Sequence, residues 1–295
     1  MQALCLFISY ACLGHAMEMI FRDVGRMLPI HNPIQDSYFR VASYNARYFD
    51  LVNDPSGNVE ILDTDLGMLR TLAVVVHEFP IAFWRSESYG LVKEIFKKYG
   101  LPYLCEQFID DGIHSYGTIA ASRYPLPKCK SLDLGDDELL LHAEVEYMGR
   151  PISLLGTHLE RNNTEAVQRV NQMNMVVDYV NDQGLATNPE VPMLLVLDTT
   201  LPWTADAIWT IRAGLPVEDT YQILDWTRPT YMSFEGVTRN YIFMSKNAKS
   251  MVVGTYMQHA QSDSFSCAAD LWKYPDQLKV PPPLRAHRTP LHLIY

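Results

Sequence analysis

The sequence has little basic charge and a short apolar N-terminus. It contains 24 Lys and Arg residues against 34 Asp and Glu, which gives a formal net charge of −10 at pH 7. Tight non-specific binding of nucleic acid depends on clustered Lys and Arg that neutralise phosphates. This balance therefore disfavours a broad nucleic-acid surface, although metal ions can offset charge locally. Residues 1–16 are mostly apolar but too short to span a bilayer, so we predict no transmembrane segment.

Cysteine is also scarce, and its spacing matches neither a metal site nor a dense disulfide framework. The five cysteines are Cys5, Cys12, Cys105, Cys129 and Cys267. Cys105 and Cys129 flank one loop region and could pair in a secreted protein. Buried free thiols are the interpretation that we favour, because free cysteine behaves as a small apolar residue.

The termini differ in composition from the centre of the chain. Two interpretations of residues 1–16 stay open: a secretory signal that ends at Gly14-His15-Ala16, or a helix packed on the domain. The protein is secreted in the first case and cytoplasmic in the second. We predict an N-terminal approach over 1–37, one domain over 38–272 and a Pro-containing tail over 273–295. The domain is expected to act as a monomer.

Several apolar segments of strand length carry a polar residue at one end. The segment 192–200 is a nearly continuous apolar run that stops on Asp198, which is typical of a strand covered on both faces of a layered α/β protein. Four more segments share this form, and the polar residues of all five are Asn45, Glu78, His158, Asp198 and Asn240. The pattern predicts one polar cluster at one rim of a sheet.

Periodicity predicts the elements between these strands. Apolar residues at helical spacing predict helices over 62–72, 89–99, 163–181 and 204–213, the last with Thr204 as N-cap. Alternation predicts further strands over 117–122 and 139–147. Two more are predicted over 231–245 and 251–257, joined by a turn at 246–249.

Seven short motifs occur in an order that resembles the endonuclease/exonuclease/phosphatase superfamily, whose fold is that of deoxyribonuclease I. The motifs are Tyr44-Asn45-Ala46-Arg47, His77-Glu78, Tyr116-Gly117…Ser122-Arg123-Tyr124-Pro125, Gly156-Thr157-His158-Leu159, Leu197-Asp198-Thr199-Thr200, Arg239-Asn240-Tyr241-Ile242 and Ser262-Asp263-Ser264. The resemblance covers residues from about Tyr38 to Leu271. It implies a four-layer α/β sandwich, in which two mixed, mostly antiparallel sheets pack face to face with helices outside.

The resemblance also implies a site that hydrolyses phosphate esters with Mg²⁺ or Mn²⁺. Glu78 and Asp263 would hold the metal, Asn45 would place an amide near it, His158 would donate a hydrogen bond to a phosphoryl oxygen, and Asp198 would orient the attacking water. Thr200 stands where family members have a phosphate-binding Asn. The predicted phosphate-facing cations are Arg47, Arg123 and Arg239.

Three positions, Thr200, Asn240 and Ser264, depart from the family pattern and leave the activity open. Family members use a His held by an Asp as general base, and this chain has Ser264 and Asn240 there. A Ser hydroxyl cannot accept a proton near neutral pH as imidazole does. His77 or His259 could serve instead. The two functions that remain are a metal-dependent phosphodiesterase or nuclease, of weak activity and unknown substrate, and an inactive relative that acts as a binding or scaffold module.

Overall fold

A computed structural model describes residues 38–46, 55–80, 88–108, 116–135, 138–159, 166–199, 201, 204–223, 240–259 and 265–272. The predicted N-terminal approach and C-terminal tail lie outside these residues, so the domain boundaries stay predictions. Among the described helices, none is long and apolar enough to cross a membrane.

Within the described residues, twelve strands build two six-stranded sheets. The strands are β1 (Tyr38–Asn45), β2 (Ala73–Pro80), β3 (Tyr103–Phe108), β4 (Tyr116–Ser122), β5 (Lys128–Gly135), β6 (Glu138–Tyr147), β7 (Arg150–His158), β8 (Met193–Asp198), β9 (Val217–Asp219), β10 (Asn240–Ser245), β11 (Val252–His259) and β12 (Phe265–Trp272). The first sheet has the order β11-β12-β1-β2-β4-β3 and the second β5-β6-β7-β8-β10-β9. Among the strand pairs of the described residues, only β1–β2 and β7–β8 are parallel. The mixed, mostly antiparallel arrangement is thus confirmed.

Helices cover the outer faces of the two sheets. They are α1 (Pro55–Leu69), α2 (Ser88–Lys98), α3 (Ala166–Asp182), α4 (Asp206–Gly214), the short α5 (Thr220–Ile223) and a 3-10 helix (Lys246–Met251). Leu66 of α1 and Phe96 of α2 pack on the outward-facing residues of β2, and Val176 of α3 and Ile208 of α4 pack on those of β8. Helices, two sheets and helices therefore form the four predicted layers.

The core between the sheets follows from the alternation of each strand. Val41 on β1 and Val75 on β2 face inward, and they meet Leu154 on β7 and Val196 on β8. Gly156 on β7 allows the two sheets to approach closely, because a Cβ at this position would lie 2.4 Å from Cγ1 of Val75. Because successive side chains of a strand point to opposite faces, every second residue of each strand faces this core.

Some sequence-based boundaries are wrong. The 3-10 helix over Lys246–Met251 replaces the predicted turn, so β11 begins at Val252. Ala205, not Thr204, is the N-cap of α4, and no side chain caps this helix. The edge strand β5 was not predicted, because most of its residues are polar and exposed and show little apolar alternation. The predicted strand segment 231–239 lies outside the described residues, and its continuation forms β10.

Cys105 and Cys129 form a disulfide that joins β3 to β5. These strands are the outer edges of the two sheets on one side of the sandwich. The preference for free thiols is therefore wrong for this pair. The sequence separation of 24 residues did not reveal that the two edges face each other. Disulfides persist in oxidising compartments, so the pair favours the secreted interpretation of the chain.

Candidate active site

The predicted polar residues share one end of the space between the sheets. On four of the five strands they continue the inward-facing set: for example, Asn45 follows Val41 on β1, and Asp198 follows Val196 on β8 at even spacing. Backbone pairing places Asn45 level with His77, and places Asp198 level with both His158 and Asn240. The sequence pattern and the sheet register thus bring residues from both halves of the chain to one cleft.

Glu78 reaches this cleft through an irregularity in β2. The pairing of β2 with β4 shifts between Val76 and Phe79, as in a β-bulge. Glu78 has a φ of 51°, which is rare for a residue with a side chain. Bulges bend the strand and change the direction of a side chain, and such backbone conformations concentrate at functional sites. Glu78 would face the helix layer if the alternation continued, so the bulge redirects its carboxylate.

Asn45 connects the two sheets through its side-chain amide. Its Nδ2 donates hydrogen bonds to Oε2 of Glu78 at 2.6 Å and to Oδ2 of Asp198. An amide nitrogen carries two hydrogens, so both bonds can form at once. Asn45 and Asp198 are each 1% exposed. The amide therefore holds two carboxylates, one from each sheet, in fixed positions.

His158 is surrounded by carboxylates. Its Nδ1 lies 2.7 Å from Oε1 of Glu138, and its Nε2 lies 3.6 Å from Oε1 of Glu78. Burial lowers the pKa of His158, but the charges of Glu138, Glu78 and Asp198 outweigh it and raise the pKa to about 10. The ring is thus an imidazolium at neutral pH, with both nitrogens acting as donors.

His77 has the opposite character. It is fully buried, and within the described part of the chain neither ring nitrogen has a hydrogen-bond partner. Burial lowers the pKa of His77 to about 4, Asp198 opposes this shift and His158 adds to it. His77 is therefore a neutral imidazole next to the cleft at pH 7.

Asn240 is fixed by a residue that the sequence analysis did not select. Ser43 Oγ donates a 2.5 Å hydrogen bond to Oδ1 of Asn240, and both side chains are buried. Ser43 lies two residues before Asn45, on the same face of β1. This contact spans the two sheets beside the one made by Asn45.

Several predicted residues do not take part in this cluster. Thr200, Asp263, Ser264, Arg47 and Arg239 lie outside the described residues. Arg123 follows the end of β4, and its backbone NH bonds the carbonyl of Leu72 just before β2. This is the far end of the first sheet, so the structure does not bring Arg123 to the cleft. His259 pairs with Phe265, at the same end of the sheet as Asn45.

The cluster has the composition of a cation site. One ligand atom each from Glu78, His158 and Asp198 lies within 4.8 Å of the others. The carboxylates of Glu78, Asp198 and Glu138 outnumber the single imidazolium, so a divalent cation would offset the remaining negative charge. Oxygen ligands suit Mg²⁺ and Mn²⁺. Glu78 and Asp198 fit such an ion, and His158, whose Nδ1 is engaged by Glu138, fits a donor role beside it.

Comparison with solved structures identifies the architecture. An endonuclease/exonuclease/phosphatase from Bacteroides vulgatus aligns over 80% of this chain and 98% of its own, with a TM-score of 0.61 and 14% identity. The chain has the fold of the endonuclease/exonuclease/phosphatase superfamily. D. rerio TDP2, solved with a single-strand DNA product, aligns over 80% of this chain and 99% of its own, with a TM-score of 0.57 and 16% identity. Sphingomyelinase C from Streptomyces griseocarneus aligns over 79% of this chain and 99% of its own, with a TM-score of 0.58 and 11% identity.

Sequence-level comparisons add nothing to this fold assignment. No family model matches the chain. A search of curated proteins also finds no match. The endonuclease/exonuclease/phosphatase fold is therefore recognised from the arrangement of strands and from seven short motifs.

Glu138 and Ser43 are the site residues that the motifs did not reveal. Glu138 begins β6 after the acidic stretch Asp136-Asp137, which is typical of an exposed turn. Its contact with His158 is made across paired strands and therefore leaves no local signal. The sequence contained a weak indication of Ser43, because a residue two positions before Asn45 faces the same side of β1.

Proposed function

We propose that this protein is a divalent-metal-dependent hydrolase of phosphate esters. The observation that carries the proposal is the contact of Asn45 with both Glu78 and Asp198, beside the imidazolium of His158. These groups come from separate strands of two sheets and meet in one buried cleft. Hydrolysis of a phosphate ester needs a cation site, a positioned water and donors aimed at developing negative charge, and this cluster contains residues suited to the first and the last of these.

Each residue has a role that its contacts support. Glu78 and Asp198 would hold Mg²⁺ or Mn²⁺, so Asp198 would bind the ion rather than orient the attacking water as the family resemblance implies. Asp263 is a further ligand implied by the same resemblance. When bound, the ion would offset charge on the phosphoryl oxygens and favour ionisation of a water molecule. His158 would donate from Nε2 to a phosphoryl oxygen, with its ring oriented by Glu138. Asn45 would hold the two carboxylates in place through its hydrogen bonds to both.

The substrate class that we propose is a phosphodiester. The TDP2 structure was solved with single-strand DNA, and the sphingomyelinase is named for a lipid phosphodiester. The fold supports several substrates, so it does not choose between them. The net charge of −10 disfavours a long nucleic acid held by phosphate contacts alone.

A binding module is the second candidate, and one observation favours it. Asn240 occupies the position of the family's orienting carboxylate, and its Oδ1 already accepts a hydrogen bond from Ser43. Ser264 occupies the position of the imidazole base. A cleft of this kind could bind a metal–phosphate group without rapid turnover.

Hydrolysis of bis(p-nitrophenyl) phosphate with Mg²⁺ or Mn²⁺ tests the proposal. We expect slow turnover that EDTA removes and added metal restores. Glu78→Gln should lower the rate by about 100-fold or more, because it removes a charge from the metal site and from the partner of Asn45. Glu60→Gln is the matched control, since Glu60 is exposed on α1. Turnover that is equal in both variants, or unaffected by EDTA, would refute the proposal.

A further inference from the structure

A second cavity lies at the end of the first sheet opposite the active site. Its volume is about 500 Å³, and its walls include Tyr38 and Leu72, which lie at or next to the starts of β1 and β2. The ends of α1 and α2 complete it. Asn45 is seven residues along β1 from Tyr38, so about 23 Å of strand separates the cavity from the cleft. A ligand here would not contact the proposed catalytic residues.

The cavity is basic in an acidic protein. Four of the 24 Lys and Arg residues line it, together with one carboxylate, that of Asp270. The four cations are Arg40, Arg70, Lys98 and Arg123. This concentration contrasts with the net charge of −10 of the whole chain.

Some of this positive charge is neutralised by neighbouring groups. Arg40 forms two hydrogen bonds to Asp270, at 2.6 and 2.8 Å, and Lys98 lies 2.7 Å from Asp63. The carboxyl ends of α1 and α2 contribute about half a negative charge each. Arg70 also makes a contact of its own. Of the four cations, Arg123 is therefore, in the part of the chain that the structure describes, the one whose charge can draw an anion into the cavity with these pairs intact.

Arg123 supplies an available donor. Its side chain is exposed, and it makes no hydrogen bond or ion pair within the described residues. The guanidinium lies against Gly100, where a Cβ would be 3.2 Å from Nη2. Gly100 also has a φ of 74°. Glycine at this helix end thus leaves room for the guanidinium beside the cavity.

Arg70 is the second feature that indicates a ligand. It follows α1 in a left-handed conformation, with a φ of 45°. The ends of α2 and α3 use glycine for such a residue, Gly100 at 74° and Gly184 at 64°. Glycine adopts this conformation without strain, whereas residues with a Cβ do not. An Arg at the strained position, with its side chain lining the cavity, is consistent with a functional requirement for the side chain.

We propose that this cavity is an anion site that binds the phosphate group of a small molecule. The volume lies in the range of small-ligand pockets. Guanidinium groups match phosphate oxygens with paired hydrogen bonds, and Arg70 and Arg123 lie on different walls of the same cavity. A cluster of four cations around one cavity fits a single phosphate group, whereas a polynucleotide needs a continuous basic track.

Calorimetric titration of the full chain with inorganic phosphate tests the site. EDTA is present throughout so that the metal-dependent cleft does not contribute, and adenosine monophosphate is titrated in parallel. Arg123→Gln should weaken binding of both anions by 10- to 100-fold, the effect of losing a charge-assisted hydrogen bond. Lys130→Gln is the matched control, because it removes one exposed positive charge from β5, away from the cavity.

Arg70→Gly separates binding from folding. Glycine suits the left-handed backbone, so relief of strain should offset the loss of the side chain's own contact. The variant should therefore remain folded while its phosphate affinity falls by at least 10-fold. Wild-type phosphate affinity in either arginine variant would overturn the proposal. An equal loss in Lys130→Gln would also overturn it, since binding would then follow net charge alone. Binding of a single-stranded oligonucleotide without any binding of phosphate or adenosine monophosphate would replace the small-molecule site with a nucleic-acid surface.

Discussion

Replacing His158 with Ala is expected to lower the rate of phosphodiester hydrolysis by about 10²- to 10³-fold, the effect of removing one preorganised donor to a developing oxyanion. The ring is 6% exposed, and its Nδ1 lies 2.7 Å from Glu138. This contact leaves Nε2 directed towards Glu78 and the cleft. The raised pKa of about 10 keeps the ring charged at neutral pH, so its hydrogen bond should strengthen as charge builds on the phosphoryl oxygen.

Two further variants separate orientation from charge. His158→Gln keeps a donor without the positive charge, so its rate should lie between those of the wild type and His158→Ala. Glu138→Gln keeps a hydrogen-bonding partner for the ring, and a loss of about 10-fold is expected. His142→Gln is the control, because His142 is a buried histidine on β6 that bonds Tyr179 outside the cleft. If His158→Ala and His142→Gln retain the same activity, His158 has no catalytic role.

Restoring the family's base and its orienting carboxylate is expected to raise hydrolysis by about 10²- to 10⁴-fold, the range of general-base assistance. The double variant is Ser264→His with Asn240→Asp. Ser43 already donates to Oδ1 of Asn240, and a carboxylate oxygen at this position would accept the same hydrogen bond. Asn240 is also level with Asp198 on the neighbouring strand.

The single variants show whether the two residues act together. Ser264→His alone should increase the rate less, because an imidazole without its carboxylate lacks the partner that fixes its tautomer. If His77 or His259 has replaced the base, His77→Ala or His259→Ala should abolish wild-type turnover. Fast wild-type turnover that survives both of these changes would contradict the idea that the altered positions limit the rate. No increase in the double variant would favour the binding module.

The strand ends were the most predictable part of the site. Asn45, His158 and Asp198 each follow an apolar segment in which the inward-facing residues can be assigned by alternation. The order of the motifs indicated which of these segments become neighbours. Burial on both faces makes such strands easy to recognise, because their apolar residues are nearly continuous. The position of these residues in one cleft therefore follows from local pattern and topology together.

Other features depend on contacts that no local pattern contains. The bulge that redirects Glu78 arises from two residues on β2 opposing one on β4. Glu138 reaches His158 only because β6 and β7 pair in one register. Cys105 and Cys129 meet because β3 and β5 are edges on the same side of the sandwich. Arg123 belongs to a recognised motif, yet the antiparallel direction of β4 carries it to the opposite end of the sheet.

The most direct test of the account is the position of a bound divalent cation. Crystals soaked with Mn²⁺ should show an anomalous peak at coordination distance from a carboxylate oxygen of Glu78, about 2.1 Å for an ion of this type. Asp198 should lie close to the same peak, and the Glu78→Gln protein should lack it. A peak elsewhere on the protein, or full hydrolytic activity in crystals and solution without any metal at Glu78, would contradict the assignment of this cleft as a metal-dependent phosphate-ester site.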